Sequence, residues 1–217
     1  MHEPAVVLTD LVLAILGAVL CLRLRGVGAV ILGGLASAAF WGAIFHVFFP
    51  AKTATTAGFI AWIPVAFSIL VVAASLLDMA LSILVARLTP GGSPGGGNTK
   101  IRRAFVVLYS ILFAGVVLFI DESFSTIVLL YGPTLVLGLA AAALEAIRAR
   151  SRGGAWALVA LGLTLSAAAA MLQQAGVALH PVYFDHNAVY HVVQAAALVV
   201  LYLGFREPRT DPAARAG

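Results

Sequence analysis

The residues of this sequence that could carry out chemistry are a few histidines and aspartates set in long apolar runs. His46, His191 and Asp10 each stand within such a run. An ionisable side chain is costly there and commonly marks a functional site. Imidazole and carboxylate groups bind divalent metals and also exchange protons. These residue types are therefore candidates for a metal site.

The elements that must hold these residues place them at one depth. Counting about 1.5 Å per residue from the nearest end of each apolar run puts His46 about 6 Å deep, and Asp10 and His191 about 8 Å deep. Shared depth on three different helices predicts a common site. A histidine in such a run could equally be a structural residue that donates a hydrogen bond to a backbone carbonyl.

Further candidates lie in the segment from Asp185 to Gln194. His186 and His191 are separated by about 140° on a straight helix, so they cannot both point one way if the helix includes both. If the helix begins after His186, that residue could fold back over the site as a ligand or as a partner of one. Gln194, one turn below His191, is predicted to hold its imidazole in one tautomer.

The composition of the whole chain is that of a membrane protein. Hydrophobic residues make up 62% of the 217 residues and charged residues 10%, which excludes a soluble domain. A helix needs about 20 residues to cross a bilayer, so the apolar runs predict an all-α bundle of seven transmembrane helices. Their approximate bounds are 5–22, 28–50, 57–86, 104–120, 124–146, 155–176 and 187–205, with a flexible loop at 89–100.

Other polar and small residues are predicted to have structural roles. Pro64 suits a first helical turn, so the long third run is expected to hold a short interfacial piece and then a helix from about residue 64. Asp78 is expected to pair with loop arginines, and Glu145 shares a helix face with Arg148. The fifth helix is expected to be capped by Asp121, Glu122 and Ser123. Close packing between helices is expected at Gly33, Gly34, Ala36 and Ala38.

Basic residues predict the orientation, because Lys and Arg collect on the cytoplasmic side of membrane proteins. Lys52 stands alone on one side of the predicted bundle, and the other side holds Arg23, Arg25, Arg87, Lys100, Arg102, Arg103, Arg148, Arg150, Arg152, Arg206, Arg209 and Arg215. The N-terminus is therefore predicted outside and the C-terminus in the cytoplasm, in a bacterial inner (plasma) membrane. This asymmetry accounts for the net charge of +4, so we expect membrane lipids and no nucleic acid as partners.

Two motifs in the second and seventh helices resemble those of a known superfamily. Gly42-Ala-Ile-Phe-His46 is similar to Ser-x-x-x-His, and Asn187-Ala-Val-Tyr-His191 is similar to His-x-x-x-His. These two family motifs, Ser-x-x-x-His and His-x-x-x-His, occur in the seven-helix membrane hydrolases that include alkaline ceramidases, progestin and adipoQ receptors and bacterial hemolysin III proteins. The resemblance implies zinc held by histidines of these two helices, an aspartate near the start of the third helix, and hydrolysis of a lipid amide or ester. The sequence departs from the pattern at Gly42 and Asn187, and has no aspartate in the segment 56–62.

The predicted function is that of a ceramidase-like, zinc-dependent hydrolase. His46, His186 and His191 are the predicted zinc ligands. Asp10 is the predicted general base or fourth ligand, with Asp185 behind it, because a carboxylate must take the proton of the attacking water. Two alternatives stay open. One is a bis-histidine haem protein for electron transfer, and the other is a non-catalytic membrane protein that binds a lipid or a partner.

Overall fold

The chain folds as a bundle of seven long helices. The computed structural model describes residues 4–49, 52–88, 98–148, 153–180 and 184–206. Its helices are α1 (Pro4–Cys21), α2 (Val27–Phe48), α3 (Thr56–Leu88), α4 (Asn98–Phe119), α5 (Phe124–Arg148), α6 (Gly153–Gln174) and α7 (His186–Arg206), with a 3₁₀ turn at Lys52–Ala54. All seven are long and apolar enough to cross a membrane. The prediction of an all-α, seven-helix integral membrane protein is therefore confirmed.

Six of the helices form a closed ring. Each packs against its neighbour in the order α1, α2, α3, α5, α6, α7, and α7 returns to α1. The remaining helix, α4, lies outside this ring against α3 and barely touches α5. Large apolar side chains of α4 such as Phe105 and Ile111 are consequently exposed, as expected for a surface in contact with lipid. The inner face of α4 buries Phe113 and Val117 in a core cluster with residues of α2, α3 and α5.

Small residues bring the ring helices close together, as predicted. A side chain on Gly34 of α2 would place its Cβ 2.6 Å from Val72 Cγ2 of α3. A Cβ on Gly17 of α1 would lie 2.9 Å from the Cβ of Ala36. Dispersion contacts between such closely spaced backbones are a main source of helix association in a bilayer. The packing role predicted for Gly34 and Ala36 is confirmed.

Helix α3 differs from the prediction at its start. It runs unbroken from Thr56, with Pro64 inside it, so the predicted helix start near residue 64 is wrong. The reason is a cap that precedes the proline: the Thr55 hydroxyl oxygen accepts a 3.1 Å hydrogen bond from the Gly58 backbone N–H. A side-chain cap of this kind satisfies a backbone donor of the first turn. The helix therefore starts at the cap, and Pro64 lies in its third turn.

Helix α4 also begins earlier than predicted. Residues 98–100 are helical, so this part of the predicted flexible loop is wrong, and residues 89–97 of that loop lie outside the described residues. The helix is tied to α3 by polar contacts of Arg102, which follows closely after these residues. Arg102 Nε lies 2.9 Å from Asp78 Oδ1, and Arg102 Nη1 donates to the Ser82 hydroxyl at 2.5 Å. The expected pairing of Asp78 with a nearby arginine is confirmed.

A second ion pair joins α3 to α5 at the same end of the bundle. Arg87 donates two hydrogen bonds of 2.7 Å to the two carboxylate oxygens of Glu145. The partner of Glu145 is thus a residue of α3, which its position on the same helix face as Arg148 did not indicate. Because side chains on two helices meet here, spacing within one helix could not reveal the pair. Together with Arg102, Arg87 lies at what we call the basic end of the bundle.

Candidate active site at the end of the bundle opposite the arginines

The bundle contains a cavity of about 450 Å³ at the end opposite the basic end. Helices α1, α2, α3, α6 and α7 line it, together with the first turn of α5 and the residues just before it. Its mouth carries polar side chains such as Glu122 and Ser125, the buried amide of Gln194 lies farther in, and its deepest residues by helical position are Leu35 and Ile69. By helical rise, Leu35 lies about 20 Å from the end of α2. The cavity is therefore elongated, with a polar mouth and an apolar floor.

Asp10 of α1 and His191 of α7 meet in the wall of this cavity. Asp10 Oδ1 lies 3.0 Å from His191 Nε2. Both residues are buried, with exposed fractions of 3% and 8%. The expectation from shared depth that these two side chains belong to one site therefore agrees with the structure. His46, the third residue at that depth, lines the same cavity from α2.

The other ring nitrogen of His191 is held by Thr9. The Thr9 hydroxyl oxygen lies 2.9 Å from His191 Nδ1, and 2.8 Å and 3.0 Å from the carbonyl oxygens of Ala5 and Val6. A hydroxyl has one proton to donate. When Thr9 donates it to a backbone carbonyl, Nδ1 must carry the ring proton and donate to Thr9. Nε2 then faces Asp10, and one proton is shared between the imidazole and the carboxyl group.

Gln194 does not have its predicted role. Its Nε2 donates a 3.1 Å hydrogen bond to the Ser166 hydroxyl of α6, whereas both ring nitrogens of His191 are engaged by α1. The prediction that Gln194 fixes the tautomer is wrong, because its partner lies on a neighbouring helix. Thr9 was missed by sequence reasoning. The only available signal was its position beside Asp10 in an apolar run.

The second carboxyl oxygen of Asp10 explains why position 42 is a glycine. Asp10 Oδ2 is buried and has no hydrogen-bond partner among the described residues. A Cβ at Gly42 would lie 3.1 Å from this oxygen, which is closer than a comfortable packing distance. In the hydrolase motif that this segment resembles, the position is a serine. Here the carboxyl group of Asp10 occupies the space that a serine side chain would need.

His186 and Asp185 lie at the first turn of α7. The Asp185 side chain is the N-cap, because its Oδ1 accepts hydrogen bonds of 3.0 Å from the backbone N–H groups of Asn187 and Ala188. Helix α7 already includes His186, so the idea that this residue belongs to the preceding loop is wrong. Its side chain nevertheless lines the cavity. Asp185 is not among the residues that line it.

An amide pair completes the wall between α6 and α7. Gln173 Nε2 donates a 2.7 Å hydrogen bond to Asn187 Oδ1. With the amides oriented in this way, the Nδ2 hydrogens of Asn187 are the donors that this side chain can present. Gln173 Oε1 is buried and has no partner among the described residues. Both residues line the cavity. The sequence does not single out Gln173, because glutamine is common at a helix end.

The predicted zinc site does not fit the side chains as they are arranged. Among the described residues, no three His, Cys, Asp or Glu side chains are grouped closely enough to hold a metal ion. A zinc site needs at least three such ligands, and both nitrogens of His191 are already hydrogen-bonded. A haem iron bound to His191 would have to break one of these bonds as well. Zinc and haem both stay predictions.

Fold and site together define an integral seven-helix membrane protein with a buried aspartate–histidine pair facing a cavity. Residues 5–210 match the family described as "Family of unknown function (DUF6962)", and the chain belongs to this family. No curated protein and no solved structure matches the chain. The resemblance to the ceramidase-like hydrolases stays a prediction.

Proposed function

We propose that this protein hydrolyses an amide or ester bond of a membrane amphiphile, with Asp10 as the general base. One observation carries this proposal. The Asp10 carboxyl group lines the cavity, with one oxygen 3.0 Å from His191 Nε2 and its other oxygen buried beside Gly42 without a partner in the described part of the chain. A buried carboxyl group of this kind is a ready proton acceptor.

The shape of the cavity suits an amphiphile. Its volume of about 450 Å³ falls in the usual range for small-molecule sites. An alkyl chain would lie against the apolar floor formed by residues such as Leu35 and Ile69. The polar part of the molecule would then lie level with Asp10, nearer the mouth.

The proposed reaction is an attack by water on the carbonyl carbon of the amphiphile. Asp10 Oδ2 accepts a proton from the water as the new C–O bond forms. Asp10 then returns the proton to the leaving nitrogen or oxygen as the C–N or C–O bond breaks. The products are a carboxylic acid and an amine or an alcohol. The hydrogen bond from His191 stabilises the Asp10 carboxylate, and Thr9 holds the His191 ring.

Asn187 is the proposed stabiliser of the negative charge that develops on the carbonyl oxygen. Its own oxygen accepts a 2.7 Å hydrogen bond from Gln173, so its N–H groups are available as donors. Donors held in place by a second residue are effective in this role because they need little reorganisation during the reaction. Gln173 therefore acts as a positioning residue.

Binding without turnover is the second candidate function. Two departures from the hydrolase motifs that the sequence resembles favour binding alone: Gly42 stands in place of their serine, and the segment 56–62 lacks their aspartate. The cavity would then hold an amphiphile without cleaving it.

Fatty-acid release from a substrate panel separates these functions. Purified protein in lipid nanodiscs is given long-chain amides and esters in ¹⁸O-labelled water, after washing with EDTA and again after adding zinc. We expect release of an acid that carries one ¹⁸O atom, without a requirement for zinc. Release that requires zinc and is lost in His46→Ala would instead support the zinc-dependent hydrolase. No release from any compound under either condition would contradict hydrolysis and favour binding alone.

A further inference from the structure

We propose that the cavity binds an amphiphile whose head group is a protonated amine, with the ammonium group on Asp10 Oδ2. The proposal concerns the charge of the ligand. It goes beyond the proposed function, because it holds whether or not the bound molecule is cleaved.

The first argument is that the cavity offers buried acceptors in need of donors. Asp10 Oδ2 and Gln173 Oε1 are both buried, and neither has a donor among the described residues. Both residues line the cavity, and Asp10 is only 3% exposed. A buried acceptor without a donor is destabilising. A primary ammonium group carries three N–H donors and no acceptor, so it matches this pattern.

The second argument is the sign of the charged groups. Asp10 and Glu122 bring carboxyl groups to the cavity, whereas lysine and arginine are absent from the described side chains that line it. The basic side chains of the described lining are the imidazoles of His46, His186 and His191, and both ring nitrogens of His191 are already hydrogen-bonded. A phosphate or sulfate head group would therefore find no lysine or arginine there, and it would face the Asp10 carboxyl group at close range. Like charges brought together in a poorly hydrated site are strongly unfavourable.

The third argument is the aromatic surroundings. Phe45, Trp62 and Tyr190 line the cavity at the level of its polar part. The Trp62 indole is fixed by a 2.7 Å hydrogen bond from its Nε1 to the Glu122 backbone oxygen. Aromatic faces attract ammonium groups through their ring quadrupoles. A neutral polyol could satisfy the two acceptors, but it would use neither the carboxylate charge nor these rings.

Competition binding on the wild-type protein tests the charge selectivity. The protein in phosphatidylcholine nanodiscs is loaded with radiolabelled dodecylamine, which is then displaced by unlabelled dodecylamine, dodecanol or dodecyl phosphate. A charge-assisted hydrogen bond corresponds to about a tenfold to hundredfold gain in affinity. We expect the amine to displace the label at least about tenfold better than dodecanol, and dodecyl phosphate not to displace it. Equal competition by dodecanol, or any effective competition by dodecyl phosphate, would overturn the proposal.

Three substitutions locate the binding group. Asp10→Asn should weaken dodecylamine binding by about tenfold to hundredfold. Glu122→Gln, at the water-accessible mouth, should weaken it by no more than about threefold. Asp78→Asn, at the basic end, should leave it unchanged. Unaltered amine binding by folded Asp10→Asn would overturn the assignment, and if that variant does not fold, the wild-type competition series decides alone. Amine binding without acid release from any substrate would support this inference and contradict the hydrolase.

Discussion

Asp10 carries a carboxyl group into a part of the bundle where a bilayer offers little water. Its environment makes this tolerable, because one oxygen lies 3.0 Å from His191 Nε2 and the carboxyl group as a whole lines the cavity. Thr9 in turn holds the far side of the imidazole. Ionisable residues at membrane depth usually have such partners and usually serve function. The arrangement is therefore compatible with the chemical role that we propose for Asp10.

The hydrogen bond from Thr9 to His191 can be tested by size-matched substitution. Thr9→Val removes the hydroxyl group and leaves the buried Nδ1 without a partner, which should cost about 1–3 kcal/mol of stability. Thr9→Ser keeps the hydroxyl group and should retain most of that stability. Thermal unfolding of the detergent-solubilised proteins measures the difference. Equal melting temperatures for the valine and serine variants would show that Thr9 does not hold the ring.

The close contact between Gly42 and Asp10 can be tested by alanine substitution, with a glycine that has no close neighbours as the control. Gly42→Ala places a Cβ 3.1 Å from Asp10 Oδ2, and the resulting overpacking should cost about 1–3 kcal/mol. In Gly115→Ala on α4, no neighbouring atom lies within 4 Å, so stability should rise or change by less than about 1 kcal/mol. Thermal unfolding compares the two variants. A Gly42→Ala protein as stable as Gly115→Ala would mean that Asp10 does not occupy this space.

Sequence alone was informative about which residues matter and uninformative about their partners. Asp10, His46 and His191 could be selected because ionisable groups are rare in apolar runs. Thr9 and Gln173 could not, because threonine and glutamine occur widely at helix surfaces and ends. The tautomer prediction for Gln194 was wrong because its partner, Ser166, lies on another helix, and spacing along one helix says nothing about the neighbour.

At the scale of the elements, caps decide where helices begin. Thr55 caps α3, Ser123 caps α5 and Asp185 caps α7, each through a side-chain oxygen that accepts from a backbone N–H of the first turn. The capping prediction for the start of α5 is confirmed. For Asp185 the sequence instead predicts a chemical role, because an aspartate before a helix has the same sequence signature whether it caps the helix or serves a site.

The cap at α5 predicts a pH dependence of local stability. The Thr126 hydroxyl, and then the Ser123 backbone N–H and hydroxyl, donate hydrogen bonds to Asp121 and lower its pKa below the ordinary value. A depressed folded-state pKa stabilises the folded state fully above the unfolded pKa, near 4, and this contribution is lost as the pH falls through the folded pKa. We therefore expect hydrogen-exchange protection in the first turn of α5 to fall below about pH 4.

Asp121→Asn provides the control for this pH effect. The asparagine oxygen can still accept a hydrogen bond, but it does not titrate, so protection factors for residues 124–127 should lose their dependence on pH between about pH 6 and pH 3. Asp78→Asn should leave the dependence as it is in the wild type. An acid-induced loss of protection that persists in Asp121→Asn would assign it to another group.

At the scale of the whole molecule, the number of helices followed from the sequence and their arrangement did not. Seven apolar runs of membrane length predict seven spans, and the observed bounds agree with the predicted ones to about two residues, apart from the start of α4. The ring and the peripheral position of α4 were not predicted. In a bilayer both the buried and the lipid-facing surfaces are apolar, so the hydrophobic pattern does not show which face meets another helix.

The predicted orientation can be tested by labelling cysteines at the two ends. In a Cys21→Ala background, Ser125→Cys lies at the exposed mouth of the cavity and Arg25→Cys lies at the basic end. With the basic end in the cytoplasm, a membrane-impermeant maleimide should label position 125 in intact cells and position 25 only after permeabilisation. The reverse pattern would place the cavity on the cytoplasmic side.

The central claim is that the Asp10 carboxyl group is the reactive group of the cavity. The most direct test is the rate of fatty-acid release by Asp10→Asn relative to the wild type, on the best long-chain amide or ester and with Asp78→Asn as the matched control. Loss of a general base typically lowers a rate by about 10²- to 10⁴-fold. The account predicts a fall of at least about 100-fold for Asp10→Asn and an unchanged rate for Asp78→Asn. A folded Asp10→Asn protein that releases acid at the wild-type rate would contradict it.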